Sequence, residues 1–177
     1  MRHALKLHPD SPCVAVTRID VDVARTHPGH LVLTYAVTGK ISDLSLPAVT
    51  APARTDELWR HTCFEVFLRA SPSAAYREFN FAPSTRWAAY RFDAYREGMA
   101  ALEVEAPKIE VRSTSELFEL QVALQLAGTP ARAALRLALS AVIEETNGRK
   151  SYWALAHPPG KPDFHHADGF ALELQPA

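Results

Sequence analysis

The sequence predicts an all-β protein, an antiparallel β-sandwich with one or two short helical turns. Apolar and polar residues alternate with a period of two in most segments, as expected where successive side chains of a strand point to opposite faces. These segments are short and are separated by turn-forming residues, which is typical of sandwiches. The 177 residues contain no repeat, linker or low-complexity tract, so we expect one domain spanning residues 1–177.

The alternation defines ten predicted strands in chain order. The first passes through Val14, Val16 and residues 19–23, and the others cover residues 31–37, 62–69, 76–81, 87–92, 108–112, 117–126, 135–145, 151–157 and 170–174.

Turn-forming residues separate these strands. His27-Pro28-Gly29 closes the first strand pair, and Asn147-Gly148 is a strong hairpin signal. Residues 44–52 are interrupted by prolines and are predicted to be irregular, and Thr55 is expected to cap a helical turn over residues 56–60. Thr129-Pro130 resembles a helix start, but strict alternation over residues 135–143 favours a strand there.

Composition excludes several classes of function. The 19 basic and 20 acidic residues give a net charge of −1, so no charge excess indicates a nucleic-acid or membrane partner. No apolar run is long enough for a signal peptide or a membrane span. We therefore expect a cytoplasmic protein, in which Cys13 and Cys63 would be free thiols. The oligomeric state stays open.

Three blocks concentrate aromatic rings beside polar side chains, and they hold all three tryptophans. They are LWRHTCFEVFL (58–68), YREFNFAPSTRWAAYRFDAYREGM (76–99) and SYWALAHPPGKPDFHH (151–166). A flat ring packs against a sugar or a macrocycle while polar groups fix its orientation, so the blocks indicate a small-molecule site. The alternative is that the rings belong to the core.

Strand alternation places candidate polar residues on one sheet face. If the apolar sides of strands 62–69 and 76–81 point into the core, then Glu65, Glu78 and Asn80 share the opposite face. The same reasoning predicts Trp87 and Arg91 beside them in the next strand. An aromatic ring with carboxylate, amide and guanidinium groups suits sugar hydroxyls. The alternative is a solvated face with Glu–Arg pairs across the strands.

The third block ends in a proline-rich loop over residues 157–166. His157, His165, His166 and Asp163 could bind a metal ion, although their spacing fits no standard zinc pattern. A histidine of this loop could also ligate haem, with Met99 as a second axial group. Alternatively, these side chains stabilise the turns of the loop itself.

The three blocks, together with LSAVIEETNG (139–148), resemble the bacterial DOMON-like proteins, which are related to family 9 carbohydrate-binding modules. The resemblance covers about residues 58–166, and FNFAPS…W and KPDFHH are its most specific parts. It implies an antiparallel β-sandwich whose relatives bind either sugars or haem. In the haem-binding branch the axial pair would be Met99 with His157, His165 or His166.

We interpret the chain as a non-catalytic module that binds a carbohydrate or a similar polyhydroxylated small molecule, and we expect no resident cofactor. The alternatives are haem or metal binding through the loop with Met99, and a hydrolase using Glu78 and His157. The candidate ligand-binding residues are Trp59, Glu65, Tyr76, Glu78, Asn80, Trp87, Arg91, Trp153, His157, Asp163 and His165.

Overall fold

A computed structural model describes residues 1–27, 29–126 and 134–175. Within these ranges the chain forms twelve strands and three short 3-10 turns, so the all-β prediction is confirmed. No helix in these ranges has the length and apolar character of a membrane span. The strands are β1 (Arg2–Leu7), β2 (Val16–His27), β3 (His30–Gly39), β4 (Cys63–Ala70), β5 (Tyr76–Phe81), β6 (Trp87–Phe92), β7 (Ala100–Ala101), β8 (Lys108–Ser113), β9 (Leu117–Gln125), β10 (Leu135–Glu144), β11 (Lys150–Ala154) and β12 (Leu172–Leu174).

The strands form one curled antiparallel sheet in the order β7-β6-β5-β4-β10-β11-β1-β2-β3-β9-β8, and β12 pairs with β10. We call β4–β7 and β10–β12 the front half, and β2, β3, β8 and β9 the back half. Strand β1 joins the halves, because Arg2–Leu5 pair with β2 while Lys6 and Leu7 pair with β11. The two halves pack face to face as a sandwich.

The main core lies between the halves. The ring of Phe64 in β4 packs 5.2 Å from that of Tyr35 in β3 and 5.8 Å from that of Phe118 in β9. The buried Tyr35 hydroxyl donates a 2.7 Å hydrogen bond to the backbone carbonyl of Glu65. Aromatic packing and a hydrogen bond therefore both join the back half to β4. The predicted core residues Phe64, Val66, Phe79, Phe81, Leu137 and Leu139 are all buried here.

Several predicted boundaries differ from the structure. The sequence pattern did not predict β1, which is mostly exposed and buries only Leu5, nor the two-residue β7. The helical turn over residues 58–60 begins after Glu57, whose backbone adopts the left-handed conformation. No side chain caps this turn. Thr55 instead lies 3.4 Å from the Arg86 guanidinium. The predicted strands 151–157 and 170–174 shorten to β11 and β12.

Other local predictions are confirmed. Asn147 and Gly148 form the turn between β10 and β11, where Gly148 has φ 83° and the Asn147 side chain accepts the Arg149 N–H. Residues 45–52 are irregular. The Thr129-Pro130 helix start and Pro28 lie outside the described residues.

The packing predicts a large effect of truncating Phe81, which is fully buried between the halves. Phe81→Ala leaves a cavity that the surrounding strands can fill only in part, so we expect it to lower the free energy of unfolding by about 3–5 kcal/mol. Denaturant titration measures this loss. Phe164→Ala is the control, because Phe164 is only half-buried and its truncation should destabilise less. Equal losses in the two variants would contradict this core assignment.

Candidate functional site

A polar cluster lies on the outer face of the front half, away from the core. Glu65 in β4 stands opposite Asn80 in β5 and Ser140 in β10. Glu78 lies two residues before Asn80 and therefore on the same face. All four side chains are buried. The predicted sharing of one face by Glu65, Glu78 and Asn80 is confirmed.

Hydrogen bonds orient both carboxyl groups. The Asn80 amide donates to Glu78 Oε1 at 2.7 Å, and the Ser140 hydroxyl donates to Glu65 Oε2 at 3.3 Å. The second oxygen of Glu78, Oε2, faces His165 Nε2 at 3.8 Å. The two carboxyl groups are thus held at the base of the outer face by neutral donors.

His165 is fixed in turn by Tyr76. The Tyr76 hydroxyl lies 2.8 Å from His165 Nδ1 and accepts the backbone N–H of Arg96 at 3.2 Å. Among the described residues, His165 Nδ1 is the one acceptor within hydrogen-bond distance of this hydroxyl, so we assign the hydroxyl proton to the bond with Nδ1. This assignment places the imidazole proton on Nε2, directed toward Glu78.

Burial shifts the titration of all three groups. It raises the pKa of Glu65 well above its ordinary value, and the nearby Glu78 carboxyl adds to that rise. It raises the pKa of Glu78 to about 7, against the lowering effects of the Asn80 hydrogen bond and Arg96. Burial, helped by the charge of Arg96, lowers the pKa of His165 to about 4. His165 is therefore neutral at pH 7.

A cavity of about 380 Å³ opens above the carboxyl groups. Four aromatic side chains form much of its wall, and they come from a 3-10 turn, two strands and the 157–166 loop. Arg96 and Met99 lie at its exposed rim, and Val142 adds an apolar patch from β10. The lining residues are Trp59, Glu65, Glu78, Phe92, Arg96, Met99, Val142, Tyr152, Pro162, Phe164 and His165.

Asp163 ties the two segments that wall the cavity. Its carboxylate accepts hydrogen bonds from the Tyr95 hydroxyl, from the Arg96 guanidinium at 2.8 Å and from the His165 backbone N–H at 3.1 Å. Tyr95 and Arg96 belong to the turn after β6, whereas His165 belongs to the loop before β12. The geometry gives Asp163 a positioning role, since both of its oxygens are engaged by the protein.

The structure divides the predicted site residues. Trp59, Glu65, Glu78 and His165 line the cavity. Tyr76, Asn80 and Asp163 do not line it but hold these residues in place through the hydrogen bonds described above.

The predicted positions of Trp87 and Arg91 are wrong. Directly opposed residues of antiparallel strands share a face, and Trp87 opposes the core residue Phe81 while Arg91 opposes Arg77. Trp87 is accordingly buried in the main core, and Arg91 is exposed and pairs with Asp93. The residues of β6 that do share the polar face are Ala88, Tyr90 and Phe92.

Two further predicted site residues lie elsewhere. Trp153 is part of the main core, where its indole N–H donates to the Ser151 hydroxyl at 3.0 Å. His157 Nε2 donates to the Lys6 carbonyl at 2.8 Å, and its ring packs against that of His8. The proline-rich loop thus directs its histidines to different surroundings, which its sequence alone does not reveal.

The residues that sequence reasoning missed are Phe92, Arg96, Met99 as a cavity-lining residue, Val142, Tyr152, Pro162 and Phe164. The strand register would have identified two of these residues as members of the polar face. Tyr152 opposes Val142 across β10 and β11, and Phe92 opposes Tyr76. Strand alternation would have placed both on the polar face once these registers were known.

The histidines do not form a metal centre. Among residues 1–27, 29–126 and 134–175, no three His, Cys, Asp or Glu side chains are arranged to hold a metal ion. His166 instead accepts the Asp168 N–H with its Nδ1.

The haem alternative requires an axial pair. Met99 and His165 do line the same cavity. However, Nδ1 of His165 is bonded to Tyr76 and Nε2 faces Glu78, so neither nitrogen is directed toward an iron position. His157 and His166 do not line this cavity, so none of the three histidines fits an axial haem pair with Met99.

Comparisons with known proteins concern the fold that carries this site. No protein-family model and no curated protein matches the chain. Among solved structures, a Bacteroides uniformis protein provisionally described as carbohydrate-binding superposes with a TM-score of 0.72 at 16% identity, covering 95% of this chain and 83% of that one.

Two structures of family 9 carbohydrate-binding modules from Caldicellulosiruptor kristjanssonii are also similar. The glucose complex has a TM-score of 0.54 at 9% identity, covering 97% of this chain and 83% of the module. The cellotriose complex has a TM-score of 0.53 at 10% identity, covering 88% and 74%. At these identities the likeness shows that the chain shares the sandwich fold of such modules.

The raised pKa of Glu78 predicts a specific pH dependence of stability. An acid whose pKa is higher in the folded state stabilises the fold fully below its unfolded pKa, and this contribution is lost as pH rises to the folded value. Between about pH 4.5 and 7, wild type should lose stability relative to Glu78→Gln, by at most about 1.4 kcal/mol per pH unit for each proton. The lowered pKa of His165 has the opposite effect on the pH dependence of stability. Because both proteins contain His165, comparing wild type with Glu78→Gln removes this effect.

Denaturant titrations of both proteins at several pH values measure this difference. Glu116→Gln is the control, because Glu116 is exposed in the turn between β8 and β9 and should track wild type. A constant difference between wild type and Glu78→Gln across the range would contradict the assignment.

Proposed function

We propose that this chain binds a carbohydrate, without catalysing a reaction, in the cavity on the outer face of the front half. The observation that carries the proposal is an aromatic wall standing over two buried carboxyl groups. Aromatic rings pack against the C–H surfaces of a sugar, and carboxyl groups form hydrogen bonds with its hydroxyls. The cavity volume of about 380 Å³ falls within the range of about 300–1,000 Å³ usual for small-molecule sites.

Trp59 is the best candidate for stacking. Its side chain is 36% exposed, although large aromatic residues are generally buried in a fold of this size. Its ring stands edge-on to that of Tyr90 at 5.9 Å, so contact with Tyr90 holds it while part of its surface faces the cavity. On the far side, the rings of Tyr152 and Phe164 lie 6.2 Å apart. A flat ligand would lie between these two walls.

The polar groups of the cavity would fix the orientation of the bound sugar. Glu78 and Glu65 lie at the base, and the Arg96 guanidinium lies at the rim. A carboxyl group that is protonated part of the time can both donate and accept hydrogen bonds, as each sugar hydroxyl also does. The similar sandwich modules that hold glucose and cellotriose support a sugar as the ligand class for this fold.

Binding without reaction is proposed because the structure separates the pair that the hydrolase alternative requires. That alternative uses Glu78 and His157, and His157 is bonded to the Lys6 carbonyl rather than lining the cavity. The remaining acidic pair, Glu65 and Glu78, is buried and held by Ser140 and Asn80.

The proposal is tested by a glycan-array screen followed by calorimetric titration of the best glycan. Trp59→Ala removes the stacking surface and should weaken binding about tenfold, equivalent to about 1.4 kcal/mol. Trp59→Phe keeps an aromatic ring and is the matched control, expected to retain most of the affinity. Thermal melts should show both variants folded, because Trp59 lies outside the main core. Unchanged affinity in Trp59→Ala, or no glycan bound by wild type, would reject the site.

A further inference from the structure

We propose that the cavity selects a sugar bearing an amino group, with the ammonium seated over Glu65 and Glu78 between the aromatic walls. This inference rests on the proposed function and names its ligand class. It follows from the two carboxyl groups at the base of the cavity, which a bound cation would favour in their ionised form, and from the aromatic surfaces around them.

In the part of the chain that the structure describes, neither carboxyl group forms an ion pair with a lysine or an arginine. Among the described residues, His165 is the only basic side chain within 4.0 Å of either, and it faces Glu78 at 3.8 Å. His165 is neutral at pH 7, as shown above. Arg96 lies at the rim, where its charge lowers the pKa of Glu78, but its guanidinium forms its ion pair with Asp163 at 2.8 Å rather than with either cavity carboxyl group.

The other titratable groups around the carboxyls add no positive charge. They are the Cys63 thiol on the same strand as Glu65, the Tyr76 hydroxyl bonded to His165, the Tyr90 hydroxyl bonded to Asp56, and the Tyr152 hydroxyl on β11. The Asn80 side-chain oxygen, completely buried beside Glu65, has no hydrogen-bond partner among the described residues. Among the described residues, hydrogen bonds to the carboxyl oxygens of Glu65 and Glu78 come from Ser140 and Asn80, so an ionised carboxylate at the base of the cavity could accept further hydrogen bonds.

An ammonium group supplies what this base lacks. It brings three donors and a positive charge, and a buried carboxylate without a partner is strongly unfavourable. The face of an aromatic ring also attracts a cation, and four rings line this cavity. A neutral hydroxyl can form hydrogen bonds here but cannot balance the charge.

Proton release should accompany binding. In the unliganded protein the pKa of Glu78 is raised to about 7, chiefly by burial. A bound ammonium favours the ionised carboxylate and therefore lowers that pKa. Affinity should rise as pH increases through about 7, for as long as the ligand amine remains protonated. A neutral sugar should show the opposite trend or none.

The experiment is calorimetric titration of the whole chain with glucosamine, N-acetylglucosamine, glucose and choline. These probes separate the amine from the sugar ring, since acetylation removes the charge and choline keeps it without a sugar. We expect glucosamine to bind at least about tenfold more tightly than the two neutral sugars, in line with one charge-assisted hydrogen bond. Titration in two buffers of different ionisation enthalpy should reveal proton release.

Glu78→Gln keeps the shape of the side chain and removes its charge. It should abolish the preference for glucosamine over glucose and the proton release, because the interaction lost with glucosamine is charge-assisted whereas the one lost with glucose is between neutral groups. Glu116→Gln, on an exposed turn of the back half, should leave both unchanged. Thermal melts establish that each variant is folded.

The outcomes distinguish this inference from the proposed function. Equal binding of all three sugars, weakened alike by Trp59→Ala, would overturn the amine preference and leave carbohydrate binding standing. Binding of choline alone, lost in Trp59→Ala and Glu78→Gln, would support the ammonium seat and overturn the sugar. Failure of all four probes to bind would overturn the inference, and the glycan array would then decide the proposed function separately.

Discussion

The register of β4 between β5 and β10 is the constraint on which the rest of the structure depends. It places Phe64 and Val66 in the core and Glu65 on the outer face, directly opposite Asn80 and Ser140. A shift of one residue would exchange the two faces, burying the carboxyl group in the core. The hydrogen bond from the Tyr35 hydroxyl to the Glu65 carbonyl fixes this register from the back half. Core packing and site geometry are thus set by the same strand.

Both faces of the front half are covered, which is unusual for one layer of a simple sandwich. The outer face carries a second apolar cluster that includes Phe67, Tyr76 and Phe170, packed beneath the loops. The carboxyl groups lie beside this cluster, and their burial opposes folding. Retaining charge where an apolar residue would be more stable is the pattern expected of a functional site. The outer cluster holds the loops in place and thereby forms the walls of the cavity.

Strand alternation was sufficient to predict the fold class, most strands and the common face of Glu65 and Glu78. It could not relate one strand to the next without knowing which residues oppose each other. Trp87 was assigned to the wrong face for that reason, since its neighbours Phe81 and Ala53 are visible only in the folded chain. Tyr152 and Arg96 were missed because they reach the cavity through a distant hairpin and a turn held by Asp163. A period-two sequence pattern shows which side chains share a face of their own strand. The pairing between strands and the positions of loops depend on tertiary contacts.

Strand β1 has a consequence for how the protein can be handled. It is the only strand linking the halves within the continuous sheet of the described chain, and it pairs with β2 on one side and β11 on the other. Loss of these few N-terminal residues would leave the twelve-residue β2 and the five-residue β11 with unpaired backbone donors and acceptors along the edges that face β1. Exposed strand edges of this kind can form hydrogen bonds with strands of other molecules. A truncated form would therefore tend to self-associate, even though the residues removed contribute only the buried Leu5 and the partly buried Leu7 to the main core.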